Sequence, residues 1–527
     1  MRRLKKTIWL AIAATVLVAG AFAEGKADAA APAAAASGPI TINWMPQNDA
    51  PVDPNSPVVL ELEKQLGVKL NFVYLDRSKE TELLNLRIVS NDIPDVMKLT
   101  ESRFRAYIDQ GVLASIPEAL VKEKAPKLYA LISRDGGTKA WEYPKNGGNL
   151  YGIPILNPNG AYNFVPIWRD DWLKKVGVAK IPATLAEAEA AFYKFANEDP
   201  DGNGAKDTYA LSNTGFSVVF GAYGGLPYFS KGGGLGFTWS VVNGKVTATA
   251  TMPEMKEALT LLNKWYKDGL IDPEFISEES KGQYWGNSVT FWNGKIGFSC
   301  PGLSYHVNKP YFDGDIGSVN YPNFTKLQPA GSYDFGKPLV GPAGKSGTEK
   351  WSTYPGTYLT FGRQVAKDPA KMAKILEVLE RTATDEAIYM LSRGGIKGLT
   401  YDITAAGAMV QLKPNAEAAS FGVGNNGIGF MNETNFDLTK KFDPYRYGFA
   451  DKVGKTGDNY TNAAWAGLES DAKYKAVVEK KIRENYMLFV IGERKLSEFD
   501  DFVADLNKAG LQQLTTEANA WYAKYNK

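Results

Sequence analysis

Residues 199–207, with the sequence Asp-Pro-Asp-Gly-Asn-Gly-Ala-Lys-Asp, have the residue types and the spacing of a calcium-binding loop. Calcium takes about six to eight oxygen ligands, and alternate loop positions can surround one ion when a glycine allows a sharp turn between them. Gly204 stands in the place of that glycine. The predicted ligands are four side chains and one backbone carbonyl, those of Asp199, Asp201, Asn203, Asp207 and, through its carbonyl, Ala205.

The loop departs from an EF-hand at its twelfth position, where Ala210 replaces the bidentate Glu. A helix-loop-helix calcium sensor is therefore not expected. The alternative is a hydrophilic turn, because Asp, Asn and Gly all tolerate left-handed backbone conformations. Four regularly spaced oxygens and a correctly placed glycine exceed what a turn requires, so calcium binding is favoured.

Length and composition limit the classes of protein that the chain can belong to. A chain of 527 residues is too long for one ordinary core, so two or more lobes are expected. Removal of residues 1–23 would leave 56 Lys and Arg against 58 Asp and Glu, and this near-neutral balance argues against a nucleic-acid partner. Cys300 is the only cysteine and His306 the only histidine, which excludes an internal disulfide and nearly excludes a zinc site.

The first residues have the pattern of a secretory signal. A basic head precedes an apolar run over 8–20, and Ala21-Phe-Ala23 matches a cleavage site. The run is too short to span a bilayer, and no cysteine follows it to accept a lipid. We therefore expect a signal peptide at 1–23, a disordered Ala-rich leader at 24–38, and a soluble periplasmic or secreted protein without a lipid anchor.

Strands and helices alternate at the start of the predicted fold. Helix signals are clear at Ser56-Pro57, which suits a helix start, and at Gly67, which suits its end. The pattern predicts strands at 40–45, 68–74 and 95–99, and helices at 57–66 and 81–90. This alternation is typical of a parallel sheet in an α/β fold.

Further along the chain, irregular Gly- and Pro-rich segments separate more helices. Thr184 and Glu187 form a capping-box pattern that starts the helix before the calcium loop. Other helices are predicted at 168–176, 253–268, 368–382, 472–486, 496–509 and 511–525, and a strand at 291–299 with a turn at Asn293-Gly294. Crossings between lobes are predicted near Gly160 and Tyr354.

Five short stretches together resemble the family 1 extracellular solute-binding proteins, which capture substrates for carbohydrate importers of the ATP-binding-cassette (ABC) type. They match in order and spacing over nearly the whole mature chain. The stretches are Asn-Asp-Ile-Pro-Asp-Val at 91–96, Trp-Arg-Asp-Asp-Trp-Leu at 168–173, the run at 266–275, Asn-Gly-Lys-Ile-Gly at 293–297, and 499–503 with Gly510-Leu511.

The calcium loop resembles that of family members that bind alginate and related oligosaccharides. In those proteins an acidic residue follows the last Asp, whereas Thr208 occupies that place here. The resemblance makes Thr208 a further candidate ligand and gives calcium a structural role.

The resemblance implies an α/β periplasmic-binding-protein fold with two lobes, each a sheet flanked by helices, and a ligand cleft between them. The expected N-terminal lobe comprises 39–160 and 356–440, and the C-terminal lobe 161–355 and 441–527. The implied partners are an oligosaccharide and the membrane permease subunits of an ABC importer, and the protein is expected to act as a monomer.

The sugar-binding residues are predicted from residue type and position. Sugar rings need aromatic plates and planar hydrogen-bonding groups, and an open parallel sheet places ligands at the ends of its strands. Large aromatic side chains are individually more often buried in a core. The candidates are Trp44, Gln47, Asn48, Asp49, Tyr223, Trp239, Trp285, Trp292, Tyr305, Trp351 and Tyr354.

Two function classes remain open. The favoured one is a binding protein without catalysis, which delivers an oligosaccharide to an importer. The alternative is a secreted glycoside hydrolase or polysaccharide lyase, and the hydrolase requires a pair of carboxylates at the scissile bond. Carboxylates are plentiful here, so composition does not exclude it, but the lack of eight strand-helix repeats disfavours the common barrel form.

Overall fold

The computed structural model describes residues 38–527 apart from Asp49, 229–236, 277–287, 311–316, Val319, Asn425, Gly457, Thr461, 465–466 and 526–527. The predicted signal peptide, the predicted leader up to residue 37, and the candidate residues Asp49 and Trp285 lie outside the described residues. Within the described part, no helix is long and apolar enough to cross a membrane.

The strands are mostly short, with two to five residues each. They are β1 Ile40–Trp44, β2 Val68–Phe72, β3 Val96–Thr100, β4 Lys145–Asn146, β5 Asn149–Leu150, β6 Gly152–Pro154, β7 Ile167–Trp168, β8 Tyr209–Leu211, β9 Trp239–Val242, β10 Lys245–Ala248, β11 Ile296–Ser299, β12 Asp334–Phe335, β13 Gly347–Glu349, β14 Thr357–Phe361, β15 Tyr401–Ile403, β16 Met409–Gln411 and β17 Asp458–Tyr460.

The helices cover the sheets and form most of the carboxyl-terminal part. They are α1 Pro57–Leu66, α2 Glu80–Val89, α3 Glu101–Asp109, α4 Glu118–Lys124, α5 Pro126–Gly136, α6 Asp170–Lys175, α7 Leu185–Asn197, α8 Asn213–Ala222, α9 Pro253–Lys267, α10 Val289–Trp292, α11 Ser304–Val307, α12 Tyr321–Leu327, α13 Pro369–Thr384, α14 Glu386–Arg393, α15 Asn415–Ser420, α16 Phe436–Phe442, α17 Pro444–Val453, α18 Asp471–Ile491, α19 Phe499–Leu506 and α20 Gln512–Tyr525.

The first sheet has the strand order β2-β1-β3-β14-β6. β1 pairs in parallel with β2 and β3, which confirms the parallel sheet predicted from the alternation at the start of the chain. β14 comes from far along the sequence and pairs antiparallel with β3 and β6. Neighbouring residues of β3 point to opposite faces, since Val96 packs into one apolar cluster and Met97 into another.

The second sheet has the order β12-β7-β11-β8, with β11 parallel to β8 and antiparallel to β7. Aromatic rings pack against it: Trp168 lies 4.4 Å from Phe298 and 5.5 Å from Phe192, measured between ring centroids. The second core, built around this sheet, takes residues between 162 and 339 and between 447 and 518. The first core takes residues between 42 and 156 and between 354 and 431.

Several predicted helices begin and end where their capping residues stand. The Ser56 hydroxyl accepts a hydrogen bond from the Val59 amide at the start of α1, and Gly67 ends this helix with φ of +65°. The complete capping box of Thr184 and Glu187 starts α7, as predicted. Trp265 of α9 is fully buried.

The predictions were wrong in three places for local reasons. Trp168 belongs to β7, and α6 begins only at Asp170, where acidic residues favour a helix start. The turn predicted at Asn293-Gly294 is present, with Gly294 at φ +79°, but the residues before it form the short helix α10 and only those after it form a strand, β11. The helix predicted at 496–509 is interrupted, with a π-turn at Asn507–Leu511 in which Gly510 has φ of +114°.

Candidate functional site

Aromatic, amide and charged side chains meet in a pocket of about 500 Å³, called the main pocket below. Its walls come from both cores: Lys98 lies on β3 of the first sheet, whereas Tyr305 lies on α11 and packs against the second core. Tyr305 and Trp351 supply rings. The other polar lining residues are Lys98, Asn157, Asn159, Thr357, Asn426, Glu433 and Arg446.

A second pocket of about 270 Å³ shares Lys98 and Thr357 with the main pocket. It lies at the carboxyl ends of β1 and β3, where open parallel sheets place their ligands. Its remaining lining residues are mostly polar or charged: Gln47, Arg77, Glu80, Thr81, Leu99, Thr100 and Arg103.

A third pocket of about 440 Å³ shares Trp351 with the main pocket. Aromatic side chains dominate its lining, which includes Tyr143, Tyr354, Trp521 and Tyr522. The three pockets therefore form a series, with charged residues at one end and aromatic rings at the other.

The ammonium group of Lys98 lies among protein atoms, and the carboxylates of Glu80 and Glu433 line the same two pockets without forming an ion pair with it. Its Nζ donates a hydrogen bond to Asn426 Oδ1 at 3.1 Å and lies 5.2 Å from the ring centroid of Phe430. Within the described residues, Lys98 takes part in no ion pair. Burial lowers the pKa of Lys98 below its ordinary value, because the charged form loses solvation.

The guanidinium group of Arg446 is held over an aromatic ring at the other side of the main pocket. Its Cζ lies 4.0 Å from the ring centroid of Tyr305, and its Nη2 donates a hydrogen bond to Asn159 Oδ1 at 2.8 Å. The Asp443 carboxylate is 4.0 Å away, which is a weak ion pair. Such a planar cation on an aromatic face suits recognition of polar or anionic groups.

Four of the predicted sugar-binding residues line these pockets. Tyr305 and Trp351 are in the main pocket, Tyr354 joins Trp351 in the third, and Gln47 is in the second. Gln47 Nε2 donates hydrogen bonds to the carbonyl of Lys98 at 3.0 Å and to Glu80 Oε1 at 3.2 Å. These bonds fix its orientation at the edge of the pocket.

The other described candidates do not line the three pockets. Trp44 is fully buried, stacks on Phe430 and donates its indole N–H to the carbonyl of Gly427 at 3.0 Å. The structure thus places Trp44 in the first core, on a strand that has neighbours on both sides in the sheet. Asn48 is also buried and donates to the carbonyl of Ala419.

The remaining three aromatic candidates pack into or against the second half of the molecule. Trp292 is buried in a cluster of rings with Phe291, Phe324 and Tyr333. Trp239 is buried beside Phe237, and Tyr223 packs partly buried against the second core. Their irregular sequence surroundings resembled those of Trp351, so residue type alone did not separate core rings from pocket rings.

Sequence reasoning missed most of the polar residues of the main pocket. Asn157 and Asn159 stand in a stretch that the sequence marked only as a crossing between lobes. Lys98 is the third residue of β3, after Val96 and Met97, and a lysine within a strand carries no sequence signal of a binding site. Asn426, Glu433 and Arg446 belong to no motif, and only the folded chain brings them to this pocket.

The predicted calcium loop is closed on its own backbone and side chains. Asp199 Oδ1 accepts hydrogen bonds from the amides of Gly202 and Asn203, and Oδ2 accepts one from Gly204. The Nδ2 of Asn203 donates to the carboxylates of Asp201 and Asp207. Gly204 has φ of +79°, as its predicted place in the loop requires.

The first two carboxylates of this loop influence each other. A hydrogen bond from Asp201 lowers the pKa of Asp199, whereas burial and the same hydrogen bond raise the pKa of Asp201. Such opposed shifts are typical of carboxyl groups held close together, because both cannot easily be charged. The loop thus concentrates negative charge that a cation would offset.

The last two predicted ligands, Ala205 and Thr208, take part in hydrogen bonds within the protein. The amide of Ala205 donates to Asn203 Oδ1. Thr208 is buried, and its hydroxyl donates to the carbonyl of Phe195 at 2.8 Å, which ties it to α7. Among the described residues, no three His, Cys, Asp or Glu side chains are grouped closely enough to hold a metal ion.

Comparison with known proteins gives relatives over nearly the full length of the chain. No family model matches. The lipoprotein LipO of Bacillus subtilis is 25% identical over 504 residues, and the alignment covers 92% of each chain. The polygalacturonan/rhamnogalacturonan-binding protein YtcQ of the same organism is 22% identical over 369 residues, which are 69% of this chain and 67% of YtcQ.

Solved structures share the fold at low sequence identity. The Streptococcus pneumoniae ABC-transporter substrate-binding protein FusA, in complex with kestose, has a TM-score of 0.62 at 19% identity and covers 92% of this chain and 99% of its own. The alginate-binding protein AlgQ2, solved without calcium ion, has a TM-score of 0.62 at 20% identity, with 93% and 99% covered. The chain therefore has the two-lobed α/β fold of these proteins, and the predicted resemblance to solute-binding proteins of carbohydrate ABC importers is confirmed.

One prediction is contradicted by these comparisons. The chain was expected to be soluble and without a lipid anchor, but LipO, which aligns with 92% of it, is named a lipoprotein. The prediction depended on the absence of a cysteine after the apolar run at 8–20, a segment that lies outside the described residues.

Proposed function

We propose that this protein captures an oligosaccharide in the cleft between its two lobes and delivers it to the permease subunits of an ABC importer. The observation that carries the proposal is the main pocket, where Tyr305 and Trp351 meet three amide side chains between the two cores. Aromatic rings cover the apolar C–H faces of sugars, and amides bond to their hydroxyls. The names of FusA and YtcQ, both described as binding proteins, support the same reading.

Binding without catalysis is favoured over glycoside hydrolysis by the acid groups of the main pocket. Among its described lining residues, Glu433 is the only carboxylate. Glu80 in the neighbouring pocket is engaged by Arg103 and Gln47. A glycosidase of the common kind needs two carboxyl groups on either side of the scissile bond, and the described lining of the main pocket holds no such pair.

The proposal includes the lobe boundaries given by the sequence. We assign 39–160 and 356–440 to one lobe and 161–355 and 441–527 to the other, with the protein acting as a monomer. The separation of core residues into two groups supports this assignment. Polar lining residues 157 and 159, together with Trp351, then lie at or beside the crossings, where closure of the lobes would bring them onto a ligand.

We also propose that the loop at 199–207 holds a structural calcium ion. The three carboxylates and the Asn203 amide oxygen are the hard oxygen donors that calcium prefers, and calcium binding would draw the carboxylates closer together than they stand in the described structure. Asn203 Nδ2 donates hydrogen bonds to the carboxylates of Asp201 and Asp207. A calcium ion would neutralise these two negative charges more fully than the amide does. When bound, calcium would supply neutralising charge and stabilise the folded form, with no part in any reaction.

Titration calorimetry with neutral and acidic oligosaccharides tests the proposed function. We expect at least one oligosaccharide to bind with a dissociation constant in the micromolar range or below, and chromatography of the mixture to recover it unchanged. Cleavage of a bound sugar would establish the enzymatic alternative, and lack of binding to any oligosaccharide would refute the proposal.

A further inference from the structure

Positive charge collects where the main and second pockets meet. Lys98 lines both pockets, Arg77 and Arg103 line the second, and Arg446 lines the main pocket. Two carboxylates, those of Glu80 and Glu433, face these four cations in the combined lining. The chain as a whole is nearly neutral, so the excess of cations among the described lining residues is a local property of these two pockets.

Among the residues that the structure describes, no carboxylate forms an ion pair with Lys98. Arg103 pairs with Glu80, which also accepts a hydrogen bond from Gln47. Lys98 instead bonds to the amide oxygen of Asn426 and lies over an aromatic ring. Placing an ammonium group among protein atoms without a contacting anion is unfavourable unless a partner arrives.

Arg446 shows the same arrangement across the main pocket. Its side chain rests on Tyr305 and bonds to Asn159, while the carboxylate of Asp443 is 4.0 Å away at the limit of an ion pair. The short contacts of both cations are therefore with neutral groups, and the one carboxylate paired with Arg446 is 4.0 Å away. An arriving anion would meet preorganised donors and would not need to displace a strong ion pair.

We propose that the oligosaccharide is anionic, with a charged group of a sugar ring placed against Lys98. This inference rests on the proposed function, because it specifies the chemistry of the ligand in the same cleft. Carboxylate groups of uronic acids and sulfate esters share the required chemistry. A neutral oligosaccharide would leave the ammonium group with its hydrogen bond to Asn426 but without a contacting anion.

The test compares one sugar backbone with and without its charges. Oligogalacturonate and its fully methyl-esterified form have the same rings, but only the first carries carboxylates. We expect calorimetry to show that the acid form binds at least about tenfold more tightly than the ester, as close opposite charges in a desolvated site allow. A sulfate ester of an otherwise uncharged oligosaccharide is measured in parallel. If it binds more tightly than oligogalacturonate, the anionic group of the ligand is a sulfate and not a carboxylate.

Two variants locate the effect at the cleft. Lys98→Met keeps the length of the side chain and removes its charge, and we expect it to reduce the preference for the acid form by about tenfold with little change for the ester. Lys64→Met, on the exposed face of α1, is the matched control and should leave the preference unchanged. If Lys98→Met folds poorly, Arg446→Met serves as the second variant.

Each outcome decides the inference. Equal affinity for the acid and the ester, or binding of neutral oligosaccharides alone, would overturn the anionic ligand while the proposed function stands. Absence of binding to every oligosaccharide would overturn both. If Lys98→Met and Arg446→Met both keep the wild-type preference for the acid form, the charge of the ligand is recognised elsewhere, and the assignment to this cleft is overturned.

Discussion

At the residue scale, Trp351 occupies the position where the main pocket joins the third pocket, so one indole borders both. Its edge packs against Phe164, with ring centroids 6.4 Å apart. This contact orients the ring, and the pockets on its two sides give it access to a ligand. Trp351 is therefore the best candidate for a plate beneath a sugar ring.

We expect Trp351→Ala to weaken oligosaccharide binding by about tenfold, which corresponds to ~1.4 kcal/mol. The loss arises from the missing apolar surface under the sugar. Trp351→Phe keeps a ring in the same place and should retain most of the affinity. Calorimetry with the best ligand measures both, and equal affinities for wild type and Trp351→Ala would show that the ligand does not use this ring.

The calcium loop gives a prediction that depends on pH. The raised pKa of Asp201 means that its carboxyl keeps a proton at pH values where an ordinary Asp is charged. Protons and calcium therefore compete for this group. The rise in melting temperature on adding calcium to dialysed protein should be several degrees at pH 7.5 and should shrink as the pH falls towards the raised pKa.

Asp201→Asn should remove most of this calcium-dependent shift at pH 7.5, because an amide replaces the carboxylate. Asp109→Asn changes an exposed Asp at the end of α3 and provides the control. A calcium response that is unchanged in Asp201→Asn, or absent in wild type at pH 7.5, would mean that residues 199–207 form a turn without a calcium ion.

At the element scale, α7 is the helix that leads into this loop, and its start is fixed by the Thr184 and Glu187 capping box. The Thr184 hydroxyl accepts from the Glu187 amide at 3.2 Å, and Glu187 accepts from the Thr184 amide at 3.1 Å. Thr184→Ala should lower the free energy of unfolding by about 1 kcal/mol. Thr260→Ala, at an exposed position within α9, should change it by less than about 0.5 kcal/mol.

Urea unfolding followed by circular dichroism measures this difference. Equal effects of the two Thr substitutions would show that the cap contributes no more than an exposed Thr. The Thr208 hydroxyl donates a hydrogen bond to the carbonyl of Phe195 in α7. Thr184→Ala does not touch this bond, so we expect it to persist between the end of the loop and the helix.

Elements with local signals were predictable, and the site was mostly not. Ser56, Thr184 and Gly67 act on backbone groups within a few residues, so their effects can be read from the sequence. Pocket residues depend on contacts over long sequence distances: Lys98 meets Asn426, which is 328 residues away. Trp44 and Trp351 are the same residue type, and only the strand order decides which is buried.

At the scale of the whole molecule, aromatic contacts join the two halves outside the main pocket. Tyr143 packs against the first core, and Trp521 of α20 packs against the second. Their rings are nearly parallel, with centroids 6.2 Å apart, and Tyr525 of the same helix lies 5.3 Å from Tyr143. This contact links the carboxyl-terminal helix, which packs against the second core, to a residue that packs against the first core.

A double-mutant cycle tests whether this link contributes to stability in solution. Trp521→Ala and Tyr143→Ala should each destabilise the protein to urea, and the double variant should lose less than the sum, with a coupling energy of about 0.5–1 kcal/mol. Tyr143→Ala combined with Tyr266→Ala, whose ring packs on Phe275 in the second half, is the control pair and should be additive. Additivity in both pairs would mean that the two halves are held together by the chain crossings alone, and that the aromatic contact does not restrain the lobes before a ligand binds.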